Sequence, residues 1–194
     1  QKQAVWRTDP GLSGEGGCIA DIGTHAVNLA TFVSGLGVQA VLADLTAFEP
    51  GRRLADNAAV VLRFDGGAKG MIWASQIAPG TKNALRFRIA GERGGLAWDQ
   101  EDPDLLEFTP LGDTTRLLRR GDGLTQTPSR IPSGHPEGYL EAFATLYADA
   151  ADLIEGKGLA STRALATAED GLAGMRFIRA CVRSNGAGGM WTAA

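Results

Sequence analysis

The chain has 194 residues, 44% of them hydrophobic and 21% charged, ordinary proportions for a globular protein with room for one well-buried domain. Its formal net charge is −3 and it contains no Lys/Arg run, which argues against a dedicated nucleic-acid surface. No apolar stretch approaches the ~20 residues of a membrane span, and the opening QKQAVWRTDP lacks a signal-peptide core, so no membrane association and a cytoplasmic location are expected. Cys18 and Cys181 share no metal-like spacing and are expected to be buried or unpaired thiols in a reducing compartment.

The first helix is expected from Ile22 to about Ser34, with Val27, Ala30, Phe32 and Val33 as its apolar surface and Gly35 and Gly37 ending it. At its mouth stands GGCIADIGTHAVNL, in which Asp21 is read as the N-cap and His25 follows four residues later on the same face. A carboxylate beneath an imidazole can fix its tautomer and raise its basicity, preparing it to take a proton from an alcohol. The same spacing also describes a capped helix with a hydrogen-bonded core histidine, so spacing alone leaves both readings open.

Strand-like segments come next. Val38–Phe48 is mostly apolar, and Asn57–Phe64 and Gly70–Ile77 flank the hairpin signal Asp65-Gly66-Gly67-Ala68. Val60, Leu62 and Phe64 form an apolar face, while Leu85, Phe87 and Ile89 alternate with Arg86 and Arg88. Gly94–Trp98 and Leu105–Phe108 read as short strands. The polar stretch from Gly112 to Gly134 reads as a loop with room for one more. A helix is then expected through Leu140, Phe143, Tyr147, Ala150 and Ile154, ending near Gly156-Lys157-Gly158. A last one carries Leu172, Met175, Ile178 and Val182 behind a Thr167–Asp170 capping box, with Gly171 and Gly174 expected to mark close backbone packing. Both apolar stripes are read as core.

Strands joined by tight turns without intervening helices predict an α+β fold: one domain over residues 1–194, with a mostly antiparallel, open-faced sheet and helices packed on one face. Large apolar residues on both faces, such as Trp73 and Ile72, call for a partner sheet or subunit over the other face, with Arg86 and Arg88 at its rim. Gly91-Glu92-Arg93-Gly94-Gly95 lacks the glycine spacing and the following helix of a dinucleotide cradle and is read as a turn. Asp21, His25, His135 and Glu137 have the chemistry of metal ligands, but the two histidines lie on distant elements with no third close ligand, so no metal is expected.

GGCIADIGTHAVNL, DNAAVVLRFDGGAKG, GERGGLAW and GHPEGYLEAF, in this order, resemble the C-terminal domain of the glucose-fructose oxidoreductase / inositol dehydrogenase (Gfo/Idh/MocA) family. The resemblance implies an NAD(P)-dependent oxidoreductase that passes hydride between a sugar or polyol carbinol and nicotinamide. It also implies that NAD or NADP is held mainly by an N-terminal Rossmann domain absent from this chain, so that the fragment alone is expected to be inactive and to bind the cofactor weakly or not at all. The family's Asp-x-x-x-His pair falls on Asp21 and His25, implying that His25 is the acid/base on the reacting hydroxyl and Asp21 orients it. The family's following carboxylate is replaced by Asn28, which can bind a hydroxyl but cannot be a base, and the family's Glu-Lys-Pro motif does not occur. Arg7 beside Trp6, and His135 and Tyr139 around Glu137, are further candidate substrate contacts. Trp73, Ser75 and Gln76 are placed on a strand, where packing is the simpler role. A homodimer or homotetramer through the sheet face is implied. The alternatives are a non-catalytic sugar-binding regulator on the same fold, which retention of Asp21 and His25 disfavours, and a metal-dependent hydrolase or isomerase.

Overall fold

A computed structural model describes residues 6–123, 129–158 and 165–194. In chain order the elements are α1 (Pro10–Ser13), a π-helical turn (Ile19–Gly23), α2 (Thr24–Ser34), β1 (Val38–Thr46), β2 (Asn57–Phe64), β3 (Lys69–Ser75), β4 (Arg86–Gly91), β5 (Gly94–Asp99), β6 (Leu105–Pro110), β7 (Arg116–Arg119), α3 (Tyr139–Ile154), α4 (Ala168–Gly186) and β8 (Thr192–Ala193). The α+β class and antiparallel pairing match the sequence reading, but the strands divide into two four-stranded sheets. Two compact units contain them, Gln1–Gly80 with Thr167–Ala194, and Thr81–Ala166.

In the first unit the sheet order is β3-β2-β1-β8. The period-two pattern of β2 sends Ala58, Val60 and Leu62 into the core, opposite Ile72 and Ala74 of β3 and beside Val41 and Ala43 of β1. Phe177, Ala180 and Cys181 of α4 close this core, together with Cys18, Ile19 and Val27. Each large side chain buried there stabilises the fold by about 1.5–3 kcal/mol relative to exposure. Strand β8 pairs with β1 only at Ala40 and Val41. Beyond them the Ala43 N–H donates to Ser184 Oγ at 2.9 Å and the Leu45 N–H to Asn185 Oδ1 at 2.8 Å, so α4 satisfies part of a strand edge.

That edge sets the rotation of α4. Its buried residues are Phe177, Ala180, Cys181 and Ser184, whereas Leu172 and Met175 are half exposed, which corrects their assignment to the core. Gly171 and Gly174 face open space, so the expected close backbone packing at these two positions is not found. The Thr167–Asp170 capping box does form: the Thr167 N–H donates to Asp170 Oδ2 at 2.7 Å and the Asp170 N–H to Thr167 Oγ1 at 3.3 Å. On the opposite, open face of the sheet lie Val61, Met71 and Trp73, the last two 81% and 62% exposed. Ile72, expected as a candidate for that face, is in the core because it alternates with Trp73.

The second unit is the meander β4-β5-β6-β7. Phe87 and Trp98 oppose each other across β4 and β5 and stack with centroids 5.9 Å apart. Arg86 and Arg88 therefore belong to a different sheet from Trp73, which overturns their placement on its strands. Gly91 and Gly94 close the β4–β5 hairpin, and a side chain on Gly94 would collide with the Thr109 carbonyl of β6. The 112–134 stretch does carry a strand, β7. Helix α3 begins after Gly138, whose N–H donates to Glu141 Oε2 at 2.8 Å. Its stripe is not core: Leu140, Tyr147 and Ile154 are at least three-quarters exposed, and Asp149 is the buried residue of the helix. Periodicity reports that a helix has an apolar face, not what covers it. Among the described residues no helix is long and apolar enough to cross a membrane.

Candidate active site

The carboxylate of Asp21 is held by the N-terminal segment and by the residue just beyond β3. Arg7 Nη1 donates to Asp21 Oδ2 at 3.3 Å, and Gln76 Nε2 donates to the same oxygen at 3.0 Å. Arg7 also lies over the Trp6 ring at 5.3 Å from its centroid. The segment carrying it is pinned a second time, by Arg53 Nη2 on Asp9 Oδ1 at 3.0 Å.

Asp21 is not an N-cap. It lies inside the π turn, and its own N–H donates to the Gly17 carbonyl at 3.1 Å. Such widened turns inside helices recur at functional sites. At the junction with α2 the Thr24 hydroxyl donates back to the Ala20 carbonyl at 3.1 Å, a local bond that competes with the regular helical ladder. The four-residue spacing from Asp21 to His25 therefore runs from the π turn into α2. No hydrogen bond joins them among the described residues, and His25 is exposed without a hydrogen-bond partner there. Asn28, also exposed, follows one helical turn after His25 on the same face of α2.

The turn is seated by glycine. Gly17 has φ +53° and a Cβ there would strike the Ala55 carbonyl, while the Cys18 N–H donates to that same carbonyl at 2.8 Å. The next residue, Asp56, is fully buried; Phe48 N–H and Glu49 N–H donate to its two carboxylate oxygens at 2.9 and 3.0 Å, and Arg52 lies 3.6 Å away. Burial alone would push the Asp56 carboxyl up. The two backbone donors and the Arg52 guanidinium outweigh it and hold the group below the ordinary carboxylate value. Its carbonyl accepts the Gln76 N–H at 2.8 Å. Sequence reading passed over Asp56 and the Asp21 contact of Gln76, because no spacing rule marks a carboxylate that accepts N–H groups seven and eight residues back in its own loop, or an amide that arrives from 55 residues away.

Cys18 and Cys181 are buried free thiols, as expected. Burial pushes both up to about 12, with the Asp56 charge adding to the effect at Cys18, so neither is a nucleophile. Among the described residues no three His, Cys, Asp or Glu side chains converge as a metal site would require.

His135 and Tyr139 belong to the second unit. His135 is exposed, with Nδ1 3.2 Å from the Pro132 carbonyl, and Tyr139 is 69% exposed against Phe143, so a core role for Tyr139 is excluded. Glu137, by contrast, is buried. Ser129 Oγ donates to it at 2.9 Å, Arg120 lies 3.7 Å away, and its own N–H donates to Asp104 Oδ2 at 3.2 Å. It ties the 129–138 segment to the residue before β6 and the residue after β7.

The model of the GFO/IDH/MocA C-terminal domain matches residues 1–97, half of the chain. An uncharacterized oxidoreductase, YfiI, of Bacillus subtilis is 29% identical over 96% of this chain and 50% of its own length. The structure of an oxidoreductase from Sinorhizobium meliloti is 50% identical with a TM-score of 0.84, covering 90% of this chain and 51% of that one. An inositol dehydrogenase homolog from Azotobacter vinelandii, solved with NAD+, is 30% identical with a TM-score of 0.91 over 100% of this chain and 53% of that one. The same homolog has also been solved with NADH and myo-inositol. This chain thus spans about half the length of the relatives it matches. On the family match and these shared folds, the chain belongs to the GFO/IDH/MocA oxidoreductase family and carries its C-terminal domain.

Proposed function

We propose that this chain is the substrate-side part of an NAD(P)-dependent oxidoreductase acting on a sugar or polyol, with His25 as the acid/base on the reacting hydroxyl and Asp21 as its electrostatic partner. The observation that carries the reading is an exposed imidazole with no hydrogen-bond partner among the described residues, one helical turn before Asn28, in the segment where a buttressed carboxylate stands. A histidine committed to the core would be buried and bonded; this one is left available to a ligand. NAD(P) supplies hydride acceptance, and its binding falls mainly to the remainder of the full-length protein, since the glycines at 91, 94 and 95 form a hairpin with no helix N-terminus behind it. The family and the myo-inositol bound by the Azotobacter homolog support the polyol assignment.

Within this chain, His25 takes the hydroxyl proton as the carbinol is oxidised and returns it in the reverse direction. Asp21 offers negative charge to the imidazolium that forms. Arg7 and Asn28 contribute hydroxyl contacts. Two buried reduced thiols fit a cytoplasmic location.

The test uses the full-length protein with NAD+ or NADP+ and a panel of hexoses, linear polyols and cyclitols, following absorbance of the reduced nicotinamide. His25→Ala should lower kcat by roughly 10²–10⁴. The thermal midpoint should hold, because the ring makes no hydrogen bond or ion pair among the described residues. Near-wild-type turnover by the variant removes His25 from the mechanism.

A further inference from the structure

We propose that Gln76 is a positioning residue for Asp21: its side-chain amide, with the Arg7 guanidinium, fixes one carboxylate oxygen and so sets the direction in which the other is presented. The inference rests on the functional reading above, in which Asp21 serves the acid/base histidine.

Both donors meet one atom. Gln76 Nε2 is 3.0 Å and Arg7 Nη1 3.3 Å from Asp21 Oδ2, while Oδ1 has no protein partner among the described residues. The terminal torsion of an aspartate is broad, so one donor would leave the carboxylate plane free to swing about that contact. Two donors converging from separate elements on Oδ2 narrow the swing and so hold the other oxygen, Oδ1, to one direction.

The two sides of the Gln76–Asp21 contact are built from one dipeptide. The Ala55 carbonyl accepts the Cys18 N–H, which begins the π turn, and the Asp56 carbonyl accepts the Gln76 N–H just beyond β3, each at 2.8 Å. Gly17 allows the turn to approach Ala55, and the buried Asp56 carboxylate locks the preceding loop through Phe48 and Glu49. The donor and acceptor are thus referenced to the same two residues, the condition for holding a charge to a fixed direction. Arg7 is half exposed on the N-terminal segment and supplies charge, whereas Gln76, exposed one residue beyond β3, has its backbone anchored by the N–H bond to the Asp56 carbonyl and supplies the fixed direction. A neutral amide suits this task, because it adds a donor without a second cation beside the imidazolium.

The test is a double-mutant cycle in the full-length protein, assayed with the best polyol of the panel and its preferred cofactor. Gln76→Leu should lower kcat by roughly ten- to a hundred-fold, with KM within about threefold of wild type. Gln76→Glu keeps the shape but puts an acceptor where the donor stood, and should lose at least as much. In an Asp21→Ala background neither change should cost more than about twofold further, and thermal midpoints of the Gln76 variants should match their parents. If Gln76 only packs, Gln76→Glu will behave as wild type and the Gln76→Leu loss will add to that of Asp21→Ala; either result overturns the proposal. An impaired Asp21→Ala with unimpaired Gln76 variants overturns it while leaving the functional reading standing. Wild-type turnover by Asp21→Ala, or no turnover of any panel compound by the wild type, overturns the functional reading and this inference with it.

Discussion

Replacing Asp56 by alanine should loosen the loop on which the candidate site is referenced. The carboxylate is fully buried and accepts the Phe48 and Glu49 N–H groups at 2.9 and 3.0 Å. Each backbone N–H left without an acceptor costs about 1–3 kcal/mol. The Arg52 guanidinium, partly open to water, adds little. The sum is about 2–6 kcal/mol, and at roughly 2–4 °C per kcal/mol for a domain of this size the thermal midpoint should fall by about 4–24 °C. Asparagine keeps one acceptor and should cost about half. The same carboxyl lies below its ordinary value in the folded protein, so its stabilisation is fully present above the unfolded value of about 4 and is lost as pH falls through the folded value. Circular-dichroism melts of the full-length protein from pH 7 down to pH 3 should therefore show a steeper acid loss for wild type than for Asp56→Asn. An Asp56→Ala midpoint within about 2 °C of wild type, or equal acid slopes for wild type and Asp56→Asn, would refute the assignment of Asp56 as the organising group.

Cys18 and Cys181 should resist iodoacetamide in the native protein and react only on unfolding, read by peptide mapping; rapid native labelling of either would contradict their burial. Gly17→Ala, with positive φ and a carbonyl in the way, should destabilise by more than about 2 kcal/mol, whereas Gly171→Ala in open helix should stabilise by up to about 1 kcal/mol; chemical denaturation measures both, and the reverse order would sink the packing argument. If the open face of the first sheet is the self-association surface, Met71→Lys with Trp73→Arg should shift the full-length protein to a smaller species in light scattering while its circular dichroism is unchanged; an unaltered mass would place the contact elsewhere.

The sequence by itself determined β1 to β6 and most of their boundaries, but not the short edge strand β8. Val60 and Leu62 alternate with Ala59 and Val61, and Asp65-Gly66-Gly67 sets a hairpin, because period two and positive-φ glycine are local properties of the chain. It also determined the Thr167–Asp170 cap, a contact within one turn of helix. Only the tertiary structure decided which stripe of α4 is buried, since that follows from the β1 N–H groups that Ser184 and Asn185 must satisfy. It likewise separated Arg86 from Trp73 into different sheets and left the apolar stripe of α3 in solvent. At the site, Asp21 and His25 were legible as a pair of residue types, but not in their geometry. The π turn that carries Asp21 depends on Gly17 meeting Ala55, and the Gln76 amide that holds Asp21 arrives from 55 residues away, a distance across which no local spacing rule carries information.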